Sequence, residues 1–288
     1  MASKAKESGA ADRGNVLFDL PISATGGSVV VTQPAKKVYL ITFVSGEDNR
    51  LTSSFCQTLI KTLDILQYNP SMYPPGVVVT TSGIAKFYSN GLDLEHVQST
   101  PGFWKDSLYA LFLRLITYPM PTVALLNGHG FAGGFMVAMF HDYRCMNPHK
   151  GYLCLNELEL GVPLRPPMLS IFRQKLSAAT VRRMILEAYR FKALEALEEG
   201  IVDWLGGLPE ALAHIEEFKL VQKSQDNLSG QSVYGVLKQE MYRETIGYLE
   251  STTEESIRLS SQQLQWQGEK TKRQEAVKGW EQQTKAKL

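Results

Sequence analysis

The sequence predicts a layered α/β domain followed by a helical carboxy-terminal region, and three observations predict it. A strand–strand–helix–strand rhythm occupies the first third of the chain, the order expected of sheets covered by helices. The stretch from Pro121 to Asp142 reads as strand, glycine turn and helix: Val123 to Leu126 is a short apolar run, Gly128, Gly130, Gly133 and Gly134 follow, and Phe135 to Phe140 resume an unbroken apolar pattern. From about Glu210 the pattern is helical and increasingly polar, rich in Gln, Glu and Lys.

The elements follow in order. Residues 1–15 are small and charged, with too little apolar surface to fold. Short alternations run from Val16 to Lys37, with Ser28–Thr32 the best strand and a turn expected at Gln33-Pro34. Val38–Phe43 is a second strand by β-propensity, ended by Ser45–Asn49. Phe55, Leu59, Leu63 and Leu66 recur every three or four places, an amphipathic helix starting near Thr52. Tyr73–Gly76 breaks the chain before a buried strand, Val77–Thr81. A loop from Ser82 tightens at Asn90-Gly91 and leads into a helix capped near Asp93. Residues 103–117 are helical. After the glycine stretch come two short strands, Tyr143–Met146 and Tyr152–Leu155, and then a carboxylate-bearing loop, Asn156–Leu164. Helices are expected at about 167–175, 178–189 and 192–199, the last stopped by Gly200.

The 288 residues suffice for a sizeable core, and 44% hydrophobic with 20% charged residues is ordinary for a globular protein. A net charge of +1 gives no bulk electrostatic reason to expect nucleic acid or a membrane surface. Three cysteines without CxxC spacing argue against a disulfide framework or a zinc site and for a reducing compartment. No His/Cys/Asp cluster has the spacing of metal ligands. The longest apolar stretch, Val123–Phe140, is interrupted by Asn127, His129 and the glycines, so no membrane span is expected. The amino terminus lacks the apolar core of a secretory signal. The chain ends Ala286-Lys287-Leu288, a variant of the Ser-Lys-Leu peroxisomal address, which predicts a peroxisomal import receptor as a partner and a matrix location.

The glycine loop admits two functions. Gly128, Gly130 and Gly133 satisfy the dinucleotide fingerprint, but the motif lies far into the chain, and Tyr143–Met146 ends in Asn147-Pro148 where an acid is wanted. The alternative couples two loops. Gly91-Leu92-Asp93 and Ala132-Gly133-Gly134 each follow a strand and lead into a helix. Side by side, the Leu92 and Gly133 amides would converge on one carbonyl oxygen and stabilise an enolate, each donor being worth roughly 3 kcal/mol. The missing part is then an acid–base group near the adjacent carbon.

Three segments carry a resemblance: Tyr88-Ser89-Asn90-Gly91-Leu92-Asp93-Leu94, Asn127 to Gly134, and Glu157-Leu158-Glu159-Leu160-Gly161-Val162-Pro163. Together, in this order and at these separations, they resemble the signature segments of the crotonase superfamily, the enoyl-CoA hydratase/isomerase enzymes. Gly200-Ile201-Val202-Asp203 resembles the stretch that closes that family's core. The resemblance implies a spiral of repeated β-β-α units over about 16–205, a helical region over 206–288 and assembly as a homotrimer or hexamer. It also implies an acyl-CoA substrate, with coenzyme A part of the substrate and no separate cofactor. The thioester oxygen would lie on the Leu92 and Gly133 amides, and Ser89, Asn90, Gly91, Asp93, Phe131, Phe135 and Leu160 would line the substrate path.

The hydratases of the family use two glutamates. By resemblance the first falls at Met136, which can neither activate water nor donate a proton, and the second at Glu157. A single carboxylate suits a 3-enoyl to 2-enoyl shift, and Leu155 to Gly161 resembles the corresponding loop of enoyl-CoA delta isomerases. An apolar pocket around Glu157 would raise its pKa toward the useful range, with Leu160, Val162, Leu164, Phe131 and Phe135 as candidate surroundings. Glu159, two residues on, competes for the role of base and is expected to be solvated. His129 is expected as a packing residue and His141 as an exposed cation at a helix end.

Overall fold

A computed structural model describes residues 16–23, 25–225, 227–228, 231–251 and 265–278. The amino-terminal stretch and the Ala286-Lys287-Leu288 tripeptide lie outside these described residues. Three strands open the fold: β1 (Val16–Ile22), β2 (Gly27–Ala35) and β3 (Val38–Val44), paired antiparallel in a meander. β2 runs straight through Gln33-Pro34, where a turn was expected. The reversal comes later, with Lys37 at φ 60°. α1 (Ser53–Tyr68) then buries Phe55, Leu59, Leu63 and Leu66, and the Thr52 hydroxyl caps it by accepting the Phe55 amide at 3.3 Å.

The chain next repeats one unit three times. Each unit places a strand in a large sheet, a second strand in a small sheet, and then a helix. The first is β4 (Val77–Ser82), β5 (Phe87–Ser89) and α2 (Leu94–Ser99), followed by a π-helical stretch, Phe103–Tyr109, that continues as α3 (Ala110–Ile116). The second is β6 (Thr122–Leu126), β7 (His129–Phe131) and α4 (Gly133–Met139). The third is β8 (Tyr143–Met146), β9 (Leu153–Cys154) and α5 (Glu157–Leu160). The helices α6 (Pro166–Lys175), α7 (Ala178–Leu186) and α8 (Ala193–Glu198) lead to the edge strand β10 (Trp204–Leu205).

The large sheet has the order β1-β2-β3-β4-β6-β8-β10, parallel from β3 onward, and the small sheet β5-β7-β9 is wholly parallel. Parallel strands need both faces covered, which is why β4 and β6 are buried at every residue. Their alternate side chains divide between two cores. Val78, Ala124 and Leu126 point into the main core with Phe55, Phe112 and Phe135, while Val77, Val79, Val123 and Leu125 face Trp204 and Ile215. This ladder of β-β-α turns is the spiral that the resemblance implied.

Beyond β10, α9 (Leu208–Glu217) and α10 (Leu220–Lys223) are broken from α11 (Val233–Met241) and α12 (Arg243–Glu250) by a small hairpin, β11 (Asn227–Leu228) and β12 (Gln231–Ser232). The helical region expected from about Glu210 is present, interrupted by this hairpin among the described residues. Residues 265–278 are again helical and exposed throughout. Among the described residues no helix is long and apolar enough to cross a membrane, and the three cysteines are free and buried. The expected core-closing stretch earns its place electrostatically: Asp203 accepts the Arg144 amide at 2.7 Å and its guanidinium at 2.8 Å, and the Ile201 carbonyl accepts Arg144 Nε at 2.6 Å.

His141 is not the exposed cation expected from its place at a helix end. It is 1% exposed, and burial pushes its pKa down to about 3. Its Nδ1 lies 2.9 Å from the Val137 carbonyl and so carries the proton. Nε2 then accepts from the Thr80 hydroxyl at 2.9 Å, and Thr80 in turn accepts from Tyr88. The helix it ends is wrapped by the chain, so the polar end had to be satisfied internally.

Candidate active site

Three groups with chemical potential leave the carboxyl ends of the three neighbouring strands of the small sheet. Leu92 follows β5, Gly133 follows β7 and Glu157 follows β9. Ligand sites in parallel sheets form at such strand ends, where loops diverge and helices begin. The sequence-level coupling of the first two loops is therefore met by adjacency in the sheet.

The first loop is held from inside. Asn49, fully buried with φ 54°, accepts the Ser45 amide at 2.7 Å and donates to Ser82 Oγ at 2.7 Å and to the Tyr88 carbonyl at 3.0 Å. Ser89 Oγ donates to the Asn49 carbonyl at 2.6 Å and accepts the Gly91 amide at 3.3 Å. Asn90 donates to Asp48 at 2.7 Å, and Asp93 caps α2 by accepting the His96 amide at 2.9 Å. The side chains of Ser89, Asn90 and Asp93, expected along the substrate path, thus build the loop through hydrogen bonds of their own. Asn49 was missed because nothing in sequence marks a lone Asn after a strand as the hub of a loop forty residues on.

The second loop turns sharply. Ala132 sits at φ 46° and ψ −124°, a sparsely populated conformation for a residue with a side chain, and its amide donates to Cys154 O at 2.9 Å. Strain of this kind, of order 1–3 kcal/mol, persists where the surroundings fix it. It rotates the next peptide so that the Gly133 amide starts α4. The loops touch: a Cβ added at Gly91, whose φ is +86°, would lie 3.0 Å from Ala132 Cβ and 3.4 Å from the Gly133 nitrogen. Leu92 lies against Gly133 in the same way. Among the described residues, none of the backbone hydrogen bonds of turns and loops has the Leu92 or Gly133 amide as donor. Two amides from touching loops are left to serve an external acceptor, such as a carbonyl oxygen gaining charge.

Glu157 opens α5, a short helix where a loop was expected. It is 6% exposed, Oε2 has no hydrogen-bond partner among the described residues, and burial pushes its pKa up to about 7. A carboxyl that titrates near neutrality exchanges protons in both directions with little driving force lost. Glu159 points elsewhere: it is half exposed and pairs with Arg190 at 3.3 Å. Beside Glu157 lies a cavity of about 150 Å³ lined by Leu155, Leu158, Val162, Leu164, Ile185 and Leu186. Val162 and Leu164 are among the expected surroundings. Ile185 and Leu186, brought in by α7, are not predictable from a loop-centred view.

Three other expected lining residues are not in the wall of that cavity. Phe135 is fully buried edge-to-face on Phe172, as the first turn of α4 points it into the core. Phe131 joins an aromatic cluster with His129 and Phe87, and His129 itself stacks on Tyr152, the packing role expected of it. Leu160, the last residue of the one-turn helix α5, is 52% exposed. Met136 is fully buried in the main core, and among the described residues no group of His, Cys, Asp or Glu is arranged to hold a metal ion.

The fold and the three strand-end groups define a protein of the crotonase class. The chain belongs to the enoyl-CoA hydratase/isomerase family, whose model matches residues 34–287. It is 31% identical over 227 residues to the peroxisomal enoyl-CoA delta isomerase 1 of Arabidopsis thaliana, covering 75% of this chain and 92% of that protein. The mitochondrial enoyl-CoA delta isomerase 1 of Homo sapiens is 30% identical over 186 residues, covering 62% and 60%. The crystal structure of the human mitochondrial delta3-delta2-enoyl-CoA isomerase superposes with a TM-score of 0.66 at 25% identity, covering 78% of this chain and 87% of that one.

Proposed function

We propose that this protein is an enoyl-CoA delta isomerase, converting 3-enoyl-CoA to 2-enoyl-CoA in the β-oxidation of unsaturated acyl chains. The observation that carries it is Glu157, a buried carboxyl beside an apolar cavity with its pKa near 7 and no second carboxylate at Met136. Ionised Glu157 takes a proton from C2, and the electron pair flows into the thioester carbonyl. The dienolate oxygen rests on the Leu92 and Gly133 amides. Protonated Glu157 then returns the proton to C4, so that the C3=C4 bond becomes C2=C3 and the carboxylate is restored. Burial serves both halves, since it makes the carboxylate a stronger base and keeps the shuttled proton from solvent.

The test is isomerase turnover on 3-enoyl-CoA against hydratase turnover on 2-enoyl-CoA with one preparation. Isomerisation should exceed hydration by about two orders of magnitude or more, the usual worth of a positioned acid–base group. Hydration at an equal rate would overturn the assignment. So would tight CoA-ester binding without turnover, and preferential turnover of a dienoyl-CoA or of thioester hydrolysis in a substrate panel would redirect it.

The proposed setting is the peroxisomal matrix, as a homotrimer or hexamer whose mass light scattering would read. The terminal Ala286-Lys287-Leu288 and the Arabidopsis relative's peroxisomal label support this location, while the human relative is labelled mitochondrial. Deleting Lys287-Leu288 should leave a fluorescent fusion cytosolic. Continued import when no full-length copy is present to carry it would sink the address.

A further inference from the structure

The carboxyl end of α4, the helix that begins with Gly133, is surrounded by buried and half-buried charge that proton transfer at Glu157 does not use. Lys175, the last residue of α6, donates to the Met139 carbonyl at 2.7 Å and also to the His141 carbonyl. The His141 carbonyl takes a second bond from Arg144 Nη1 at 3.1 Å. Among the described residues, Lys175 forms no carboxylate ion pair. The remaining side of its ammonium faces the Tyr242 ring, with 5.2 Å from Nζ to the ring centroid. Two carbonyls and an aromatic face make a shell for the cation of this half-buried side chain. Burial and the nearby Arg144 guanidinium both push its pKa well below the ordinary lysine range, so retaining it there is costly.

The surroundings hold an imbalance. Lys238 pairs with Asp142 at 2.8 Å and Arg144 pairs with Asp203 at 2.8 Å. His141 is neutral, and Tyr143, Tyr234 and Tyr242 stay protonated because burial pushes each phenol up. In its ammonium form Lys175 therefore leaves the cluster with one positive charge in excess. It lies at the negative end of α4, whose opposite end presents the Gly133 amide.

Resting on the isomerase assignment, we propose that Lys175 is a positioning residue for enolate formation: it anchors the carboxyl end of α4 and biases the Gly133 end toward a negatively charged thioester oxygen. Seven residues of helix span roughly 10 Å. A unit charge at about that distance, at an effective dielectric constant of about 20, changes the stability of an oxyanion about tenfold.

The test uses the full-length protein and acetoacetyl-CoA, whose enolate absorbs in the near ultraviolet where the keto form does not. Bound to the wild type it should show the enolate band. Lys175→Met should still bind it, with the enolate-to-keto ratio and isomerase kcat each down about tenfold and KM within about twofold, the split expected when only the transition state loses stabilisation. Lys175→Arg should recover most of both. An unchanged band and kcat in folded Lys175→Met would overturn the proposal, as would a loss in Lys175→Arg as large as in Lys175→Met. Should Lys175→Met not fold, Lys175→Gln, which keeps a donor without the charge, takes its place under the same criteria. If neither neutral variant folds, Tyr242→Leu decides: the proposal stands if the band weakens and falls if it does not. Wild type with neither band nor turnover sinks the isomerase assignment. Wild type with a band that Lys175→Met matches sinks this inference alone.

Discussion

Glu157→Gln should lower isomerase turnover by about two to four orders of magnitude, the worth of a general acid–base group, with substrate binding nearly intact. Wild-type kcat/KM should rise with pH through about 7, because Glu157 must be ionised to take the C2 proton and its pKa is raised to about 7. The same substitution should stabilise the protein at alkaline pH. A carboxyl whose folded pKa is raised from 4.5 to about 7 favours the fold while protonated, fully so below about 4.5, and that contribution is lost as pH rises through 7. The rise corresponds to up to about 3 kcal/mol. Thermal melts of the two proteins should therefore coincide near pH 4.5 and separate by pH 8, the variant melting higher. An unchanged rate would remove Glu157 as the base. Coincident melts at pH 8 would show that the carboxyl bears no desolvation cost. A site that costs stability in order to hold a base near its working pKa is the trade expected of a catalytic group.

Gly134→Ala should be the most damaging single-methyl change in the site. A Cβ there would lie 2.5 Å from the Ser89 carbonyl oxygen and 2.6 Å from Ser89 Oγ. Ser89 has no room to yield, since its hydroxyl is bonded to the Asn49 carbonyl and the Gly91 amide. The two loops must separate, which moves the Leu92 and Gly133 amides apart. We expect a loss of about 1–3 kcal/mol in stability from overpacking and a fall in kcat of about two orders of magnitude from one mis-set donor. Wild-type kinetics in this variant would show that the two amides do not act together.

Local signals in the sequence located most of the elements. Thr52 and Asp93 cap the helices they were expected to cap, and Tyr143–Met146 is a strand. The coupling of Gly91-Leu92-Asp93 with Ala132-Gly133-Gly134 was legible because strand, glycine turn and helix are written in neighbouring residues. What local signals left open has a common cause. His141, Phe135 and Leu160 were assigned from local context, yet their exposure depends on what else covers or rotates them. Ser89, Asn90 and Asp93 were recognised as belonging to the loop, but whether a polar side chain faces substrate or its own backbone depends on partners such as Asp48 and Asn49.

By itself the sequence carried the resemblance to the family, the order of the β-β-α units, one candidate acid at Glu157 and the absence of a second carboxylate at Met136. These rest on residue type and spacing, which are properties of a one-dimensional chain. Only the tertiary structure decided that Glu157 and not Glu159 is buried, because a single turn of helix separates their directions. It alone supplied Ile185 and Leu186 beside the carboxyl and assembled Lys175, Arg144 and Asp203 beneath α4. Desolvation and charge balance arise from groups distant in sequence. They exist only once the three strands of the small sheet and the helices that cover them have come together.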